Sequence, residues 1–310
     1  MPKALEYNAT VVGRTDHSEL LATFSIKPDE PVAAGEDGRI FVPGQYMTLG
    51  LNNEAKPDLG SVRRPMSIAS GPQTTEALDF YVRYVNHPES DNPLTHLLWN
   101  LKEGDRMYLR NRPVGKFTVE DTVGTEDKRL RVYVGAGTGL APFTSIVFDA
   151  EARSGDSLAQ HVVLHGASYA YEFGYREELT KLVDERELKY WATCSRPQQS
   201  PGWEGHTGRV EDFFLADRLA ETEDLLGLPR GGFTPDNVVV LICGLNGTIK
   251  ETIERLLPRG FVPDNRRIRR ALEVGDGVAS TIFWEQYDNE PVVKVKDPDE
   301  VARLKALMPT

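Results

Sequence analysis

The residues best suited to chemistry form a glycine-rich run, Gly135 to Gly139, which lies between an apolar segment and Pro142. Glycines let the backbone approach a pyrophosphate, and the N-terminus of a following helix offers unpaired N–H groups and a positive dipole to an anion. Pro142 suits the first turn of such a helix. This context favours nucleotide binding over a plain strand-to-helix turn, and the candidate binding residues are Gly137, Thr138, Gly139 and Pro142.

The composition excludes several other kinds of redox or binding protein. The 310 residues include only two cysteines, Cys194 and Cys243, too few for a disulfide scaffold, a four-thiolate iron–sulfur cluster or a zinc site built on cysteines. With 36 Lys and Arg against 47 Asp and Glu, the net charge is −11, which disfavours a nucleic-acid partner. The longest uncharged run, Val132 to Phe148, is shorter than a bilayer span. We expect no metal site, no membrane span and, without a recognisable secretory signal, a cytoplasmic protein.

The pattern of apolar and polar residues changes once along the chain, and the first pattern is typical of antiparallel strands. Before about residue 120, apolar and polar positions alternate in short runs separated by glycine, proline and asparagine. Such spacing predicts an antiparallel barrel or sandwich. The predicted strands are Thr10 to Val12, Leu21 to Ile26, Gln45 to Leu51, Ser67 to Ala69, Leu78 to Val85 and Arg106 to Leu109.

After the polar stretch Asp121 to Lys128, continuous apolar segments alternate with helical ones. This alternation predicts a parallel sheet wrapped by helices. Asp297, followed by acidic residues, predicts the start of a short terminal helix. The other predicted elements are the strands Leu130 to Val134, His161 to His165 and Val238 to Ile242, and the helices Ala141 to Ala152, Glu177 to Arg186 and Ile249 to Leu257.

Four segments carry a more specific pattern: Phe41 to Tyr46, Arg64 to Ser67, Gly135 to Pro142 and Ile242 to Gly247. In this order they resemble the motifs of the ferredoxin–NADP⁺ reductase family of flavoproteins. The resemblance covers most of residues 10 to 287. It implies a two-domain fold, with an antiparallel β-barrel that binds FAD at 1–124, a Rossmann-like α/β parallel-sheet domain that binds NADP at 125–290, and a C-terminal extension at 291–310.

The resemblance assigns a flavin site to Arg64, Pro65, Met66 and Ser67. In the family motif an arginine meets the flavin phosphate, an aromatic residue lies against the isoalloxazine, and a hydroxyl hydrogen-bonds near N5. Planar arginine donors suit phosphate oxygens, and a serine hydroxyl can donate or accept. Met66 replaces the aromatic residue, and because a thioether contacts aromatic faces well, we expect an altered flavin potential rather than a lost site. The alternative is a strand with Met66 in the core and Arg64 in solvent.

Two further segments resemble elements that contact the flavin. Tyr81, Val82 and Arg83 match the next flavin-contacting strand. Leu94 and Thr95 match the turn that meets the pyrophosphate, although the usual glycine is missing there. Aromatic residues are common in strands, so a place in the barrel core is the alternative for Tyr81.

The residues expected at the ribose 2′ position favour NADP over NAD. A 2′-hydroxyl is usually held by an acidic residue, whereas a 2′-phosphate needs cationic or hydroxyl donors. Ser195 with Arg196, and later Arg209, resemble the pairs by which NADP-preferring members hold the 2′-phosphate. Ser168 stands where some relatives have arginine, which removes one possible phosphate contact. Two surface arginines balancing an acidic domain are the alternative.

The resemblance places the nicotinamide and the flavin cover near the end of the chain. Cys243, Gly244 and Leu245 follow a predicted strand at the sheet edge where ligands bind. The family pattern sets Cys243 beside the nicotinamide, although a buried structural thiol is the alternative. It also sets Glu285 near the active site and Tyr287 over the flavin face. Because the chain continues beyond this aromatic residue, Trp284 or the extension is an alternative cover.

The implied function is that of an FAD-dependent ferredoxin (or flavodoxin)–NADP⁺ oxidoreductase. Ser67, Cys243 and Glu285 would position the groups that exchange hydride between NADPH and FAD, and single electrons would pass to ferredoxin or flavodoxin. Such carriers are acidic, so a basic face must attract them, and Arg63 and Arg64 are candidates for it. The alternatives are an oxygenase reductase component, a free-flavin reductase, and a non-catalytic nucleotide-binding sensor.

Overall fold

The chain divides into two units, each of which has its own core. A computed structural model describes residues 4–74, 76–154 and 157–309. The first unit, called here the barrel unit, comprises Met1–Val119 and Ala141–Gly155. The second, the sheet unit, comprises Glu120–Leu140 and Asp156–Thr310. The functional boundaries expected after residues 124 and 290 stay predictions.

The barrel unit is built on an antiparallel sheet whose described strands run in the order β4-β3-β6-β1-β2-β5. Ile68, directly after β4, forms a β-bridge with Phe80 of β5, and Ala69 N donates to Asp79 O at 2.8 Å. These contacts connect β4 and β5, which stand at the two ends of the strand order. The sheet therefore curls toward closure around a buried apolar core. The strands are β1 (Ala9–Ser18), β2 (Leu21–Pro28), β3 (Tyr46–Asn52), β4 (Ser61–Ser67), β5 (Leu78–Arg83) and β6 (Arg106–Leu109).

Two helices belong to the barrel unit: α1 (Leu94–Trp99) and α3 (Ala141–Ser154). A short helix, α2 (Val119–Thr122), lies where the chain passes into the sheet unit. Thr144 Oγ1 in α3 donates to Ala69 O at 2.9 Å, and the Phe143 ring lies 5.8 Å from that of Phe117. These contacts group α3 with the barrel, although it directly follows the glycine-rich run.

The sheet unit contains a parallel sheet in the order β10-β9-β8-β7-β11-β12. All seven residues of β11 are buried, which explains why this strand reads as one apolar run. The strand order reverses between β7 and β11, and such a switch point opens a crevice at the carboxyl ends of the strands. The strands are β7 (Leu130–Ala136), β8 (His161–Ala167), β9 (Lys189–Cys194), β10 (His206–Thr207), β11 (Val238–Gly244) and β12 (Ile282–Gln286).

The terminal helix follows the capping pattern that the sequence predicts. Asp297 accepts hydrogen bonds from Asp299 N and Glu300 N at the start of α8 (Pro298–Leu307). Leu304 is fully buried, and Arg303 forms a bidentate pair with Glu254 of α6 at 2.6 and 2.7 Å. The extension therefore packs as part of the sheet unit. Its other helices are α4 (Arg176–Arg186), α5 (Leu219–Leu226), α6 (Asn246–Leu256) and α7 (Arg266–Ala271).

One predicted strand is displaced, and the helices α1, α2, α5 and α7 were not predicted from the sequence. Where Ser67 to Ala69 was expected to form a strand, β4 instead begins at Ser61 and ends at Ser67. Its middle, Arg63 to Pro65, is exposed, so the apolar alternation that marks a strand is missing. Pro65 is tolerated because β4 stands at one end of the strand order. These helices span only four to eight residues, which is too short for a helical apolar period to show in the sequence.

Within residues 4–74, 76–154 and 157–309, no helix is both long and apolar enough to cross a bilayer. In the same ranges, no three His, Cys, Asp or Glu side chains come together as ligands for a metal ion.

Candidate functional site

The glycine-rich turn lies against the carboxyl end of β11. A Cβ atom placed on Gly139 would stand 2.0 Å from Cys243 O and 2.6 Å from Cys243 C. Any side chain there would force apart the ends of β7 and β11, so only glycine fits. Gly137 has φ +56° and Gly244 φ +157°, values that L side chains rarely adopt. The two strand ends thus meet backbone to backbone, as a close approach to a phosphate or a ring requires.

The residues expected around the nicotinamide come together at the same place in the sheet unit. Cys243 on β11 is the register partner of Glu285 on β12. Tyr287 N donates to Gly244 O at 3.2 Å, and Tyr287 Oη donates to Thr138 O at 3.3 Å. The structure therefore joins three predicted segments that are far apart in sequence.

The Cys243 thiol is held in its neutral form. Burial raises the pKa of Cys243 well above its ordinary value, and the nearby Glu285 carboxylate raises it further. A side-chain hydrogen bond with Tyr287 lowers the pKa but does not outweigh these two effects. At neutral pH this group can pack against a ring and shape its approach, but it presents no thiolate nucleophile.

Residues after β12 hold the chain that follows Gly244. Asp288 Oδ2 accepts from Asn246 N at 2.7 Å, at the start of α6. Asn246 Nδ2 donates to Glu290 O at 3.1 Å, which ties the same turn to the segment that follows β12. Leu245, between these anchored residues, is 61% exposed. An apolar side chain that the surroundings leave in solvent is available for contact with a ligand.

The three residues expected at the ribose 2′ position lie at neighbouring strand ends. Ser195 and Arg196 directly follow β9, and both are exposed. Arg209 follows β10, whose Thr207 is the register partner of Cys194 on β9. Since the strands are parallel, these side chains share the carboxyl edge of the sheet.

Among the residues that the structure describes, carboxylates lie close to Arg209, whereas none lies within ion-pair distance of Arg196. Arg209 Nη1 lies 3.7 Å from Glu211 Oε1, and the backbone N of Arg209 donates to Asp212 Oδ2 at 2.7 Å. Burial raises the pKa of Glu211, although the Arg255 and Arg209 guanidinium groups lower it. The Arg209 side chain itself is 71% exposed. A phosphate would compete with Glu211 for this arginine.

The predicted flavin motif occupies β4 in the barrel unit. Arg64 and Pro65 are exposed, and Arg64 Nη1 donates to Arg63 O at 2.9 Å. Met66 is half-buried and packs against the barrel core. Ser67 is 7% exposed. The strand thus presents an exposed guanidinium at its middle and a buried hydroxyl at its end.

The second flavin segment lies on β5, which meets the end of β4 through the Ile68–Phe80 bridge. Tyr81 and Val82 are buried, and the Tyr81 ring packs edge-on against His17 with centroids 5.5 Å apart. Arg83, the last residue of β5, is half-buried. The burial of Tyr81 agrees with a core position, so its contact with a flavin stays a prediction.

Leu94 and Thr95 form the first turn of α1 rather than an irregular turn. Leu94 is buried in the barrel core, which leaves only its backbone for a ligand. Thr95 Oγ1 is buried and has no hydrogen-bond partner in the part of the chain that the structure describes. A buried hydroxyl without a partner costs free energy, so an acceptor brought by a ligand would remove that cost.

Sequence reasoning missed Tyr169, which lies in the loop after β8 and contacts Arg196, one of the residues expected at the ribose 2′ position. Arg196 Nη1 donates to Tyr169 Oη at 2.6 Å. Glu172 is buried and accepts from Ser168 N at 3.1 Å and from Tyr169 N at 3.3 Å. The only sequence signal was a pair of tyrosines next to the missing arginine at Ser168, and such a pair is not specific.

Comparisons with known proteins identify relatives of this chain. Residues 133–253 match the family model of the oxidoreductase NAD-binding domain. The ferredoxin–NADP reductase of Pseudomonas aeruginosa is 28% identical over 250 residues, which cover 76% of this chain and 88% of that protein. A component of the Na⁺-translocating NADH-quinone reductase of Pseudoalteromonas haloplanktis is 30% identical over 55% of each chain.

A solved structure confirms the predicted fold class. The crystal structure of a ferredoxin NADP⁺ reductase from Neisseria gonorrhoeae with bound FAD and NADP aligns with a TM-score of 0.69. The alignment covers 90% of this chain and 97% of that one, at 20% identity. An antiparallel barrel-like unit and a parallel-sheet unit with helices are the two halves expected from the sequence.

Proposed function

The chain belongs to the ferredoxin–NADP⁺ reductase family of oxidoreductases, and from this premise we propose that it exchanges hydride between NADPH and FAD and passes single electrons to ferredoxin or flavodoxin. The observation that carries the proposal is the meeting of Gly139, Cys243, Glu285 and Tyr287 at the switch point of the parallel sheet. Family membership favours this enzyme over a nucleotide-binding sensor.

The sheet unit has the features that a nicotinamide nucleotide needs. A Cβ atom on Gly137 would meet no atom of the described residues within 4 Å, so the turn leaves room there for close backbone approach to a pyrophosphate. Ser195, Arg196 and Arg209 supply hydroxyl and cationic donors at the same edge of the sheet. Such donors fit a 2′-phosphate better than a 2′-hydroxyl, which supports NADP as the nucleotide.

The barrel unit has features that fit FAD. The Arg64 guanidinium is exposed and, within the described residues, has no carboxylate at ion-pair distance, so its donors can pair with a phosphate. The unpartnered Thr95 hydroxyl would gain an acceptor from the pyrophosphate. Ser67 would hold its hydroxyl near the flavin N5 and donate or accept there as the redox state changes.

When bound, the flavin would supply the chemistry, taking two electrons from the nicotinamide and releasing them singly. The chain supplies position and electrostatics. The neutral Cys243 thiol would pack beside the nicotinamide without adding charge, because burial and Glu285 keep its pKa high. Glu285 would place a carboxylate close to the cation that NADP⁺ carries in its oxidised ring. Tyr287 would restrict access from the exposed side.

A second candidate is the reductase component of a larger electron-transfer system. The 30% identity to a component of a quinone reductase favours it, since that relative carries a different acceptor in its name. The barrel and sheet units would do the same chemistry in either case. Only the protein that receives the electrons would differ.

The test is an anaerobic visible spectrum of the purified chain, followed by titration with NADPH and, separately, with NADH. The proposal expects a flavin spectrum that bleaches at a much lower concentration of NADPH than of NADH. Arg64→Ala should lose FAD on dialysis, whereas the matched control Arg63→Ala, one residue away on β4, should retain it. No flavin binding after reconstitution with FAD would contradict the proposal.

The acceptor is tested with the reduced enzyme. Rapid electron transfer to a ferredoxin or flavodoxin, and slow transfer to free FMN, is the expected result. Transfer only to free flavin would instead identify a free-flavin reductase. Transfer only to an oxygenase-type acceptor would identify the reductase component of a larger system.

A further inference from the structure

Arg196 does not project freely into solvent, because Tyr169 holds it. Arg196 Nη1 donates to Tyr169 Oη at 2.6 Å, and its Cζ lies 5.3 Å from the centre of the tyrosine ring. We propose that Tyr169 is a positioning residue that fixes Arg196 for recognition of the nucleotide 2′-phosphate, and so contributes to the choice of NADP over NAD. This inference rests on the proposed function.

Tyr169 is itself held on a braced loop. The buried Glu172 carboxylate accepts from the backbone N–H groups of Ser168 and Tyr169. On the other side of the loop, Ala170 N donates to Ser200 Oγ at 3.0 Å. The Tyr169 ring also stacks on Tyr171, with centroids 5.2 Å apart and planes 6° from parallel. The hydroxyl that meets Arg196 is thus presented from a fixed backbone.

The same loop is tied to the strand end that carries Arg196. Ser195 N donates to Ala167 O at 2.9 Å, and Arg196 N donates to Ser168 O at 3.0 Å. These bonds extend the pairing of β8 and β9 past the ends of both strands. The backbone and the side chain of Arg196 are therefore both anchored to the segment 167–169.

A fixed position for Arg196 matters because the other candidate groups for binding the 2′-phosphate are weaker. Residue 168 is a serine, which brings no cation. Arg209 already has Glu211 3.7 Å from its guanidinium. Within the described residues, by contrast, no carboxylate lies within ion-pair distance of Arg196, whose remaining donors can serve a phosphate. A mobile arginine loses rotamer freedom on binding, so a guanidinium already held in place binds more tightly.

The test compares two probes on the full-length protein with FAD bound: 2′,5′-ADP, which carries the 2′-phosphate, and 5′-AMP, which lacks it. Isothermal titration calorimetry gives a Kd for each. Tyr169→Phe keeps the ring and removes the hydroxyl. It should raise the Kd for 2′,5′-ADP by about threefold to tenfold, the size expected for one hydrogen bond, and should change the Kd for 5′-AMP by less than about twofold. Tyr171→Phe is the matched control and should change neither Kd.

Arg196→Ala separates this inference from the proposed function. It should weaken 2′,5′-ADP by at least about tenfold, and adding Tyr169→Phe to it should cause no further loss, since the tyrosine acts through the arginine. If Arg196→Ala weakens the binding of 2′,5′-ADP and Tyr169→Phe does not, the role of Tyr169 is overturned, whereas the role of Arg196 in NADP recognition is retained. Equal weakening of both probes by Tyr169→Phe would make it a purely structural residue. If Arg196→Ala changes neither probe, the 2′-phosphate site itself is misplaced.

Discussion

The hydroxyl of Tyr287 donates a hydrogen bond to the backbone oxygen of Thr138 at 3.3 Å, across 149 residues of sequence. Thr138 lies in the glycine-rich turn after β7, and Tyr287 follows β12. The aromatic residue expected to cover a flavin is thus attached to the turn expected to bind the nucleotide. This contact links two segments whose roles the sequence analysis treated separately.

Replacement of Gly139 by alanine should block nucleotide binding. The added Cβ would stand 2.0 Å from Cys243 O, so the ends of β7 and β11 must separate, at a cost of about 1–3 kcal/mol in stability. We expect NADPH affinity to fall at least about tenfold, measured by calorimetry. Gly277→Ala is the control, because nothing lies within 4 Å of its Cβ. Unchanged NADPH affinity in Gly139→Ala would show that the nucleotide binds elsewhere.

Replacement of Thr95 by valine should have opposite effects on stability and on flavin binding. Without flavin, the variant removes a buried hydroxyl that has no partner, and the free energy of unfolding should rise by about 1 kcal/mol. FAD affinity should fall about threefold to tenfold, because the hydroxyl can no longer donate. Chemical denaturation of the apoprotein and fluorescence titration with FAD measure the two effects. Thr95→Ser, which keeps the hydroxyl, should retain FAD affinity. Weak FAD binding by Thr95→Ser together with tight FAD binding by Thr95→Val would contradict the assignment.

Neither cysteine should react with iodoacetamide in the native protein at pH 8. Both side chains are fully buried, and the raised pKa of Cys243 keeps its reactive thiolate form scarce. Mass spectrometry after brief labelling should find no modified thiol, and two after unfolding in urea. Fast labelling of Cys243 in the folded protein would refute the neutral, packed role given to it.

Acidification should destabilise the protein through His165. Burial lowers the pKa of His165 from 6.5 to about 3, with the Arg176 charge as a second cause, so below pH 6.5 the unfolded chain binds a proton that the folded chain refuses. The stability contributed by the neutral histidine is therefore lost as the pH falls from 6.5 toward 3. Between pH 6 and 5, this one group should remove about 1.2 kcal/mol from the free energy of unfolding.

Urea denaturation at the two pH values, compared with His165→Leu, measures this slope. The variant should lose about 1.2 kcal/mol less than the parent over that unit of pH. The pKa of His161 is also lowered by burial, to about 4, but this effect is the same in both proteins and cancels. Equal slopes in parent and variant would mean that His165 accepts a proton in the folded state.

Much of the site followed from the sequence because its parts are local. Gly135 to Gly139 between an apolar strand and a helix predicted a tight strand-to-helix turn, since φ values and close approach depend on the glycines themselves. Asp297 determined the start of α8, since capping acts within three residues. The continuous apolar residues from Val238 to Ile242 predicted a buried strand.

Only the tertiary structure decided which strands and side chains lie next to one another. The full length of β4 depended on pairing with β3, because its exposed Arg63 to Pro65 carry no apolar period. The neutral state of Cys243 depended on its burial and, second, on its register with Glu285. The position of Arg196 depended on Tyr169 from a separate loop. Burial, pKa and side-chain position are set by neighbours distant in sequence. Local propensity therefore determined the elements of this protein, and packing determined the environment of each functional group.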